Sequence, residues 1–315
     1  MREVISYTAI IMKAIITGGA GFIGSHLADA LLRKGNEVII IDNLSTGKKE
    51  NIPPGARFIL KDILKEDVAE EIEDADVIFH MAADPDVRLS AENPAKSFEL
   101  NLVATFRLLE SCRKADVERF VLASTSTVYG DAELIPTPED YPCAPISNYG
   151  ASKLACEGYC SAYAHSYGIR TTILRYANIF GERSTHGVMH DFYKKLKKNP
   201  SELEILGDGR QEKSYLYIND TILATLTAYE RQTALYDVYN VGSRRKYTVN
   251  TIARMVCNYM GLKPKFTYTG GARGWVGDVR TMLLDVRKLE RLGWKESTRF
   301  EDGMKAYLDW LALSD

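Results

Sequence analysis

The chain has 315 residues, of which 45% are hydrophobic, and carries a formal net charge of -2 at pH 7. This length is enough for one large domain or two smaller ones around a sizeable apolar core. A nearly neutral chain has no general attraction to nucleic acid or to acidic membrane surfaces, and no apolar run approaches the roughly 20 residues of a transmembrane helix. We therefore expect a soluble globular protein without a nucleic-acid or membrane partner.

Cysteine usage and the N-terminus bear on the compartment of the protein. The five cysteines are an odd number and form no C-x-x-C pair, which favours neither a disulfide framework nor a zinc site. We expect free thiols, a cytoplasmic location and no bound metal. Met12 starts the first predicted strand so directly that residues 1–11 are interpreted as an N-terminal extension, and this extension is too short for a secretory signal.

A glycine-rich turn lies between the first predicted strand, Lys13 to Thr17, and the first predicted helix, Phe22 to Lys34. It satisfies both G-x-G-x-x-G and G-x-x-G-x-x-G through Gly18, Gly19, Gly21 and Gly24. Glycines lack a Cβ atom, so a pyrophosphate can approach their backbone, where the helix N-terminus attracts negative charge. An ordinary tight turn between strand and helix would show the same glycines.

The acidic residue Asp42 favours a dinucleotide over an ordinary turn, because it ends the next apolar run, Val38 to Ile41. It lies at the tip of the second predicted strand, about 20 residues beyond the glycines. A carboxylate there accepts hydrogen bonds from the adenosine ribose hydroxyls and repels a 2′-phosphate. The turn and the acid together predict an NAD site rather than an NADP site.

A third strand is predicted from Arg57 to Leu60, followed closely by Asp62. In this place the Asp62 carboxylate could meet the adenine amino group of the cofactor. It could equally cap a helix predicted from Leu64 to Glu73. The residues themselves leave both interpretations open.

The fourth predicted strand, Val77 to His80, runs into the small residues of Met81-Ala82-Ala83. Small residues after a parallel strand let the backbone pass close to a bound ligand. His80 is interpreted as a buried, hydrogen-bonded residue rather than as a catalyst.

A long helical pattern from Pro94 to Lys114 is predicted to cover the sheet, with Asn101 on its inner stretch. The residues near its buried face are Phe98, Leu102, Thr105, Leu108, Leu109 and Cys112. The strand Phe120 to Ala123 follows, and the hydroxyl-bearing run Ser124 to Thr127 comes at its carboxyl end, where parallel sheets bind ligands. Strands that alternate with helices over about 170 residues predict a doubly wound parallel sheet of the Rossmann type.

Tyr149 and Lys153 lie four residues apart at the start of a predicted helix that reaches Tyr167, so they share one helix face. Ser147 and Asn148 are the candidate N-cap residues. The same Y-x-x-x-K spacing occurs twice elsewhere in the chain. Only the first pair follows the hydroxyl-rich strand end of the nucleotide-binding half.

The residue types of this pair fit the oxidation of an alcohol. Tyrosine has a pKa of about 10 in water, but an adjacent ammonium and the positive nicotinamide ring favour its phenolate, which can take a proton from a hydroxyl. Thr125 or Ser126 could hold the substrate oxygen while the same carbon gives a hydride to NAD. A surface Tyr-Lys pair that only packs on the helix is the alternative.

The motifs resemble those of the extended short-chain dehydrogenase/reductases, and among these the chain is most similar to the UDP-glucose 4-epimerase group of NAD-dependent epimerases and dehydratases. The resemblance spans nearly all of residues 12–315. Its motifs are TGGAGFIG, DNL at Asp42, HMAA at His80, STSTVYGD at Ser124, YGASK at Tyr149 and RYANIFG at Arg175.

The resemblance implies a reaction and a set of residues. It implies NAD-dependent, reversible C4 epimerisation of a UDP-hexose such as UDP-glucose or UDP-galactose. Tyr149 takes the O4 proton, C4 gives a hydride to NAD, and the hydride returns to the other face of the 4-keto sugar, with Lys153 and Thr125 as the other catalytic residues. The implied cofactor-binding residues are Gly18, Gly21, Phe22, Ile23, Gly24, Asp42, Asn43, Asp62, Ile63, Ala82, Asn101, Tyr149, Lys153 and Tyr176.

The residues after Thr125 separate the reaction types within this family. The 4,6-dehydratases carry an Asp-Glu pair there and the decarboxylases an acid, whereas this chain has Ser126 and Thr127. Without those acids water elimination is disfavoured, which leaves oxidation and re-reduction at one carbon. Epimerases often have serine at position 125, so the main O4 donor, Thr125 or Ser126, stays open. The lysine that some epimerases carry near Pro85 is absent.

Beyond Gly181 the chain resembles the nucleotide-sugar-binding part of the family. Lys213 stands where an arginine is frequent, and Gly277-Asp278 resembles an R-x-G-D segment whose arginine is displaced to Arg273. We assign Asn178, Lys213 and Arg273 to the diphosphate and Asp278 to the uridine ribose; ordinary surface charge is the alternative for the two cations. The implied substrate-binding residues are Thr125, Ser126, Asn178, Val188, His190, Lys213, Arg273 and Asp278.

The resemblance also implies a domain division and a homodimer. Residues 12–181 and 217–245 are predicted to form a discontinuous NAD-binding domain, and residues 182–216 and 246–315 a smaller mixed α/β domain for the nucleotide sugar. The helices of residues 94–114 and 147–167 are the implied dimer contact. The rival functions are another nucleotide-sugar epimerase, a dehydratase or reductase, and a non-enzymatic NAD-binding regulator.

Overall fold

Strands and helices alternate along residues 11–314, which the computed structural model describes. The strands are β1 Lys13–Thr17, β2 Glu37–Asp42, β3 Arg57–Leu60, β4 Val77–His80, β5 Arg119–Thr125, β6 Arg170–Tyr176, β7 Asn178–Phe180, β8 Glu202–Ile205, β9 Glu212–Tyr217, β10 Tyr236–Val241, β11 Lys246–Thr248, β12 Lys265–Tyr268 and β13 Thr281–Met282. The α-helices are α1 Phe22–Arg33, α2 Val87–Glu92, α3 Pro94–Ser97, α4 Ala104–Lys114, α5 Asn148–Tyr167, α6 Val188–Lys198, α7 Ile218–Arg231, α8 Val249–Met260, α9 Arg287–Arg291 and α10 Phe300–Ser314. The predicted extension of residues 1–11 lies, except for Ile11, outside the described residues.

Seven parallel strands form the main sheet in the order β10-β6-β5-β4-β1-β2-β3. The strand β1 pairs with β2 on one side and β4 on the other. The sheet continues from β2 to β3 on the first side and from β4 to β5, β6 and β10 on the second. Such a switch point leaves a crevice at the carboxyl ends of the strands, where α/β proteins bind ligands. The prediction of a doubly wound parallel sheet is confirmed.

Both faces of the main sheet are buried, because successive strand residues point to opposite sides. On one face Ile16 and Ile40 belong to the core cluster that includes Leu27 of α1. On the other face Ile15 and Ile39 belong to the cluster that includes residues of α4 and α5. Each buried aliphatic side chain contributes about 1.5–3 kcal/mol to folding, so these apolar strands hold the glycine turn and the end of β5 in a fixed relation.

The helix predicted from Leu64 to Glu73 does not form, and this segment consists of turns. The Oδ1 atom of Asp62 accepts a hydrogen bond from the Leu64 backbone N–H at 3.0 Å, and Oδ1 of Asp67 accepts one from Ala69 at 3.1 Å. Aspartate side chains that bind nearby backbone in this way stabilise turns in competition with helical bonds. Of the two interpretations that the sequence left open for Asp62, the helix N-cap is therefore wrong.

The helical segment predicted from Pro94 to Lys114 is present, but it contains the π-helical stretch Phe98–Val103 between α3 and α4. The wider turn changes which residues face the sheet. Phe98, which we expected near the buried face, is 55% exposed, whereas Asn101 is completely buried. The face prediction therefore fails at Phe98, and π-turns of this kind are frequent at functional sites.

Two smaller sheets lie in the second half of the chain. In one, β9 pairs with β7, β11 and β13, and in the other β8 pairs with β12. After these strands begin, β10 returns to the main sheet and pairs with β6, which supports the predicted discontinuous division. The exact domain boundaries stay a prediction.

Candidate active site

The glycine turn packs so closely against its neighbours that side chains cannot be added to it. A Cβ atom on Gly18, whose φ is +71°, would lie 2.6 Å from the Ala82 backbone nitrogen, and one on Gly24 would lie 2.3 Å from the Gly18 carbonyl oxygen. The turn therefore brings the ends of β1 and β4 and the start of α1 together. Phe22 and Ile23 begin α1, so their backbone N–H groups belong to the helix terminus that attracts an anion.

The carboxylate of Asp42 ties the tip of β2 to this turn. Its Oδ2 atom accepts a hydrogen bond from the Ala20 backbone N–H at 3.0 Å, and its Oδ1 atom accepts one from Leu44 at 2.8 Å. A carboxylate has about four acceptor positions, so capacity remains for ribose hydroxyls. The side-chain oxygen of Asn43 accepts a hydrogen bond from the Ser45 N–H at 3.0 Å, and Ile63, next to Asp62, is buried.

Asp62 has no helix to cap, since the segment after it is a turn. Its contact with the adenine of the cofactor stays a prediction, and its position supports that prediction. Leu60 at the end of β3 pairs with Asp42 at the end of β2, so the residues that follow the two strands leave the sheet at the same edge.

His80 is buried and has both ring nitrogens hydrogen-bonded, as predicted. Its Nδ1 lies 2.6 Å from Thr17 Oγ1 and its Nε2 lies 2.9 Å from Thr105 Oγ1. Burial, with a smaller effect of the Lys153 charge, lowers the pKa of His80 to about 3. A neutral His80 therefore connects the end of β1 to the helix that follows the π-turn.

Asn101 joins the π-turn to the helix that carries Tyr149. Its side-chain oxygen accepts a hydrogen bond from the Asp84 N–H at 2.8 Å, and its Nδ2 atom donates to Ser152 Oγ at 3.0 Å. Ser152 Oγ in turn donates to the Tyr149 carbonyl oxygen at 2.8 Å. Asn101 thus helps to position the helix α5. Its predicted contact with the cofactor stays a prediction.

Tyr149, Lys153 and Thr125 come together where β5 ends and α5 begins. Ser147 is the N-cap, because its side chain accepts a hydrogen bond from the Gly150 N–H at 3.0 Å. Burial raises the pKa of Tyr149 to about 12, and the nearby Thr125 side chain opposes the rise. The chain alone therefore keeps the tyrosine protonated at neutral pH.

The ammonium of Lys153 is a charged group without a hydrogen-bond partner among residues 11–314. Lys153 is 1% exposed, its Nζ atom is unpaired, and burial lowers its pKa. Buried polar atoms are nearly always hydrogen-bonded, so an unpaired ammonium indicates a missing acceptor. A ribose hydroxyl or another oxygen of a dinucleotide fits this requirement, and the glycine turn supplies the backbone surface that a pyrophosphate requires.

Thr125 is the last residue of β5 and pairs in register with Tyr176 at the end of β6. Its Oγ1 atom accepts a hydrogen bond from the Thr127 N–H at 3.1 Å, and Ser126 begins the short helical turn that follows. The Tyr176 hydroxyl lies 2.8 Å from Thr225 Oγ1, so it is already satisfied inside the protein. A cofactor contact of Tyr176, if it forms, uses the ring or the backbone.

The residues assigned to the diphosphate and ribose lie together, but they pair with one another. The Lys213 ammonium is hydrogen-bonded to Asp278 Oδ1, and Asp278 Oδ2 accepts from the Gly274 N–H at 2.9 Å. Arg273 donates to the Asp278 carbonyl oxygen at 3.2 Å and forms an ion pair with Asp131 at 2.7 Å. Their substrate roles stay predictions.

The other predicted substrate residues lie on neighbouring elements. Asn178 is in β7, which pairs with β9, and its Nδ2 atom donates to the Ser214 carbonyl oxygen at 3.0 Å. Val188 begins α6, and His190 lies in its first turn. The structure thus places Asn178 one strand away from Lys213, and the roles of Val188 and His190 on α6 stay predictions.

A buried ion pair behind the site was absent from our sequence predictions. Arg175 on β6 donates to Glu157 of α5 at 2.6 Å, and it also donates to the Tyr129 hydroxyl at 2.8 Å. Ser124 on β5 donates to the same glutamate. These bonds join β5, β6 and α5 directly behind Thr125 and Tyr149, so they hold the two side chains in place. The sequence signal is Arg175, which begins the RYANIFG motif and is buried at the end of β6.

The model of the NAD dependent epimerase/dehydratase family matches residues 14–242. The chain belongs to this family. A Methanocaldococcus jannaschii protein with a provisional UDP-glucose 4-epimerase name is 38% identical over 304 residues, covering 94% of this chain and 97% of its own length. A crystal structure of a UDP-galactose 4-epimerase is 43% identical with a TM-score of 0.89, over 96% of this chain and 99% of its own.

A third relative is named for a different sugar substrate. The Bacillus cereus UDP-glucuronic acid 4-epimerase, solved with UDP-glucuronic acid and NAD, is 30% identical with a TM-score of 0.90 over 96% of this chain and 100% of its own. Membership in an NAD dependent family makes this chain an enzyme with NAD as its cofactor. Since these related epimerases act on different sugars, family membership alone does not select the sugar.

Proposed function

We propose that this enzyme catalyses the reversible C4 epimerisation of UDP-glucose and UDP-galactose. The observation that carries the proposal is the buried cluster of Tyr149, Thr125 and Lys153 beside the glycine turn. The tyrosine hydroxyl is near the Thr125 side chain, and the lysine ammonium has no hydrogen-bond partner among the described residues. A proton acceptor, an oxygen-holding hydroxyl and a cation at a dinucleotide site suit alcohol oxidation and its reversal.

Each residue has a separate role in this proposal. Thr125 holds the sugar O4 atom through its hydroxyl, and Tyr149 takes the O4 proton and later returns it. NAD supplies the group that accepts a hydride from C4 and gives it back. Lys153 binds the cofactor through its unpaired ammonium and favours the tyrosine phenolate, which burial otherwise opposes.

The residues beside Thr125 favour epimerisation over dehydration. Ser126 is buried, and the Thr127 hydroxyl lies 3.1 Å from Thr125 Oγ1. Hydroxyls in these two places cannot serve as the carboxylic acid and carboxylate base that water elimination needs. The names of the relatives support a UDP-hexose as substrate, and UDP-N-acetylhexosamines and UDP-uronates are the alternatives to be measured in the same assay.

We further propose that the enzyme is a homodimer. The outer faces of α4 and α5 carry exposed aromatic rings. Those of Phe106 and Tyr159 are 5.4 Å apart, and that of Tyr167 lies 5.0 Å from the buried Tyr163 ring. Phe106 is 39% exposed and Tyr159 43%. Exposed apolar patches of this kind mark interaction surfaces, and a second copy of the same two helices is the partner that the sequence analysis predicts.

We propose a cytoplasmic location, which the free thiols support. All five cysteines are unpaired, and Cys112, Cys156, Cys160 and Cys257 are buried. No helix among residues 11–314 is long and apolar enough to cross a membrane.

The test is conversion of UDP-galactose by purified protein without added cofactor. We expect UDP-glucose to accumulate to an equilibrium mixture, followed by chromatography or NMR, because NAD is regenerated in each cycle. The same incubation with UDP-N-acetylglucosamine and UDP-glucuronic acid ranks the sugars. A product of lower mass would indicate dehydration, and protein that contains NAD but converts none of the sugars would overturn the proposal.

A further inference from the structure

Residues 273–278 form a short segment that spans two parts of the candidate substrate site. A Cβ atom on Gly277 would lie 3.1 Å from the Ser147 Cβ atom, at the N-cap of the helix that carries Tyr149. At the other end, a Cβ atom on Gly207 would lie 3.1 Å from the Arg273 carbonyl oxygen. The segment therefore lies between the catalytic helix and the loop before β9.

The two cations assigned to the diphosphate are each paired with a carboxylate. Lys213 pairs with Asp278, and Arg273 pairs with Asp131. Two positive and two negative charges leave no net positive charge for an anionic diphosphate. A neutral N–H donor can bind the diphosphate without breaking either ion pair.

Trp275 supplies such a donor in the middle of the segment. Its Nε1 atom is buried and has no hydrogen-bond partner among residues 11–314. The Lys213 Nζ atom lies 5.0 Å from the centre of its ring, so the indole is beside the cation assigned to the diphosphate. An indole N–H can only donate, and buried donors without acceptors are rare in folded proteins.

We propose that Trp275 is a substrate-binding residue whose indole N–H donates a hydrogen bond to the diphosphate of the nucleotide sugar. The inference rests on the proposed function, because it takes a UDP-sugar as the ligand. Trp275 stands two residues before Gly277, where an R-x-G-D segment has its arginine. The tryptophan replaces a charged donor with a neutral one, which can bind the diphosphate without either ion pair being broken.

An internal acceptor is the competing account of this N–H group. The Oε1 atom of Gln211 is also buried and unpaired, and its Nε2 atom lies 3.7 Å from a Cβ atom built on Gly274. If Trp275 donates to Gln211 in the working enzyme, the indole N–H stabilises the loop and has no role in binding. The two accounts differ in what the ligand affinity does when the N–H is removed.

The experiment compares UDP with uridine on NAD-loaded protein. Dissociation constants are measured by calorimetry for UDP and by ligand-observed NMR for uridine, with wild type, Trp275→Phe and Trp310→Phe. We expect Trp275→Phe to weaken UDP binding by about tenfold or more, as for a lost hydrogen bond to a charged group, and to leave uridine binding unchanged. Trp310 lies on α10 against Tyr307, so Trp310→Phe is the matched control.

Each other outcome has a definite meaning. Equal UDP affinity in wild type and Trp275→Phe overturns the inference and leaves the Gln211 account. An equal loss for UDP and uridine also overturns it, since the contact would then be to the nucleoside. Wild-type protein that holds NAD but binds no UDP overturns the proposed function itself. If Trp275→Phe does not fold, the tryptophan emission of Trp310→Phe is titrated, and emission unchanged at saturating UDP overturns the inference.

Discussion

Tyr149 and its neighbours show how single residues set the chemistry of this enzyme. Burial raises the pKa of the tyrosine to about 12, further above neutral pH than its ordinary value of about 10. The phenolate therefore depends on positive charge from Lys153 and from the cofactor, which means that the chain without NAD is a poor base. At the residue scale, catalysis is a property of the loaded site.

Replacing Tyr149 with phenylalanine tests this dependence. We expect Tyr149→Phe to lower kcat by about 10²- to 10⁴-fold, the usual contribution of a general acid-base group, while bound NAD measured after denaturation stays at the wild-type level. Tyr193→Phe is the matched control, because Tyr193 is buried in α6 and has the same Y-x-x-x-K spacing. Activity of Tyr149→Phe close to that of the control would contradict the assignment.

The lowered pKa of the buried His80 predicts how the folding stability depends on pH. Its pKa in the folded protein is about 3, below the unfolded value of about 6.5, so the folded state stays neutral where the unfolded state binds a proton. Its contribution is therefore fully present above pH 6.5 and is lost as the pH falls toward 3, by up to about 1.4 kcal/mol per pH unit.

Urea unfolding between pH 7.5 and pH 4.5 measures this effect. We expect the free energy of unfolding of His80→Gln to fall less steeply with pH than that of the wild type, since glutamine does not titrate. His165→Gln, at an exposed position of α5, should keep the wild-type slope. Parallel slopes for wild type and His80→Gln would show that His80 does not carry this titration.

Secondary-structure elements meet at the glycine turn with no space for side chains. The close approach of Gly24 to the Gly18 carbonyl joins the start of α1 to the end of β1. The π-turn at Phe98–Val103 has a similar positioning role, because it directs Asn101 toward Ser152 on α5. Both features are local departures from regular geometry at the ligand edge of the sheet.

Two glycine-to-alanine variants separate packing from helix propensity. We expect Gly24→Ala to lose bound NAD and about 1–3 kcal/mol of stability, because its Cβ atom overlaps backbone. Gly158→Ala, on an exposed part of α5 with no atom within 4 Å of the new Cβ, should retain NAD and gain about 0.5–1 kcal/mol. NAD content and chemical unfolding measure the two effects. Full NAD retention by Gly24→Ala would argue against the glycine turn as the NAD-binding site.

The whole molecule places its candidate site where the main sheet meets the second half of the chain. The segment around Trp275 contacts the N-cap of α5, and Arg273 reaches Asp131 across 142 positions of sequence. These contacts are between parts of the chain far apart in sequence. The substrate side of the site therefore depends on how the two halves pack.

The proposed dimer is tested at this scale by one charge. We expect Phe106→Asp to convert a dimer to a monomer in size-exclusion chromatography with light scattering, because a buried unpaired carboxylate disfavours the interface. Leu223→Asp changes a residue of α7 that is 48% exposed, and this variant should stay dimeric. A monomeric wild type would remove the basis of the proposal.

The sequence by itself determined the nucleotide half to a large extent. Glycines at Gly18 and Gly24, an acid at Asp42 and the spacing of Tyr149 and Lys153 are local patterns whose chemistry follows from residue type and position along a strand or helix. The parallel sheet follows equally from apolar strands that alternate with helices. These features need few contacts between distant residues to be recognised.

Only the tertiary structure decided the rest. Periodicity does not show which side chains are neighbours in the fold. Such neighbours determine the turn after Asp62, the outward position of Phe98 and the burial of Arg175 with Glu157. The pairing of Lys213 with Asp278 and the unpaired Trp275 N–H are likewise properties of long-range packing. Charge and hydrogen-bond satisfaction depend on three-dimensional neighbours, so the substrate half became specific only when the fold brought those neighbours together.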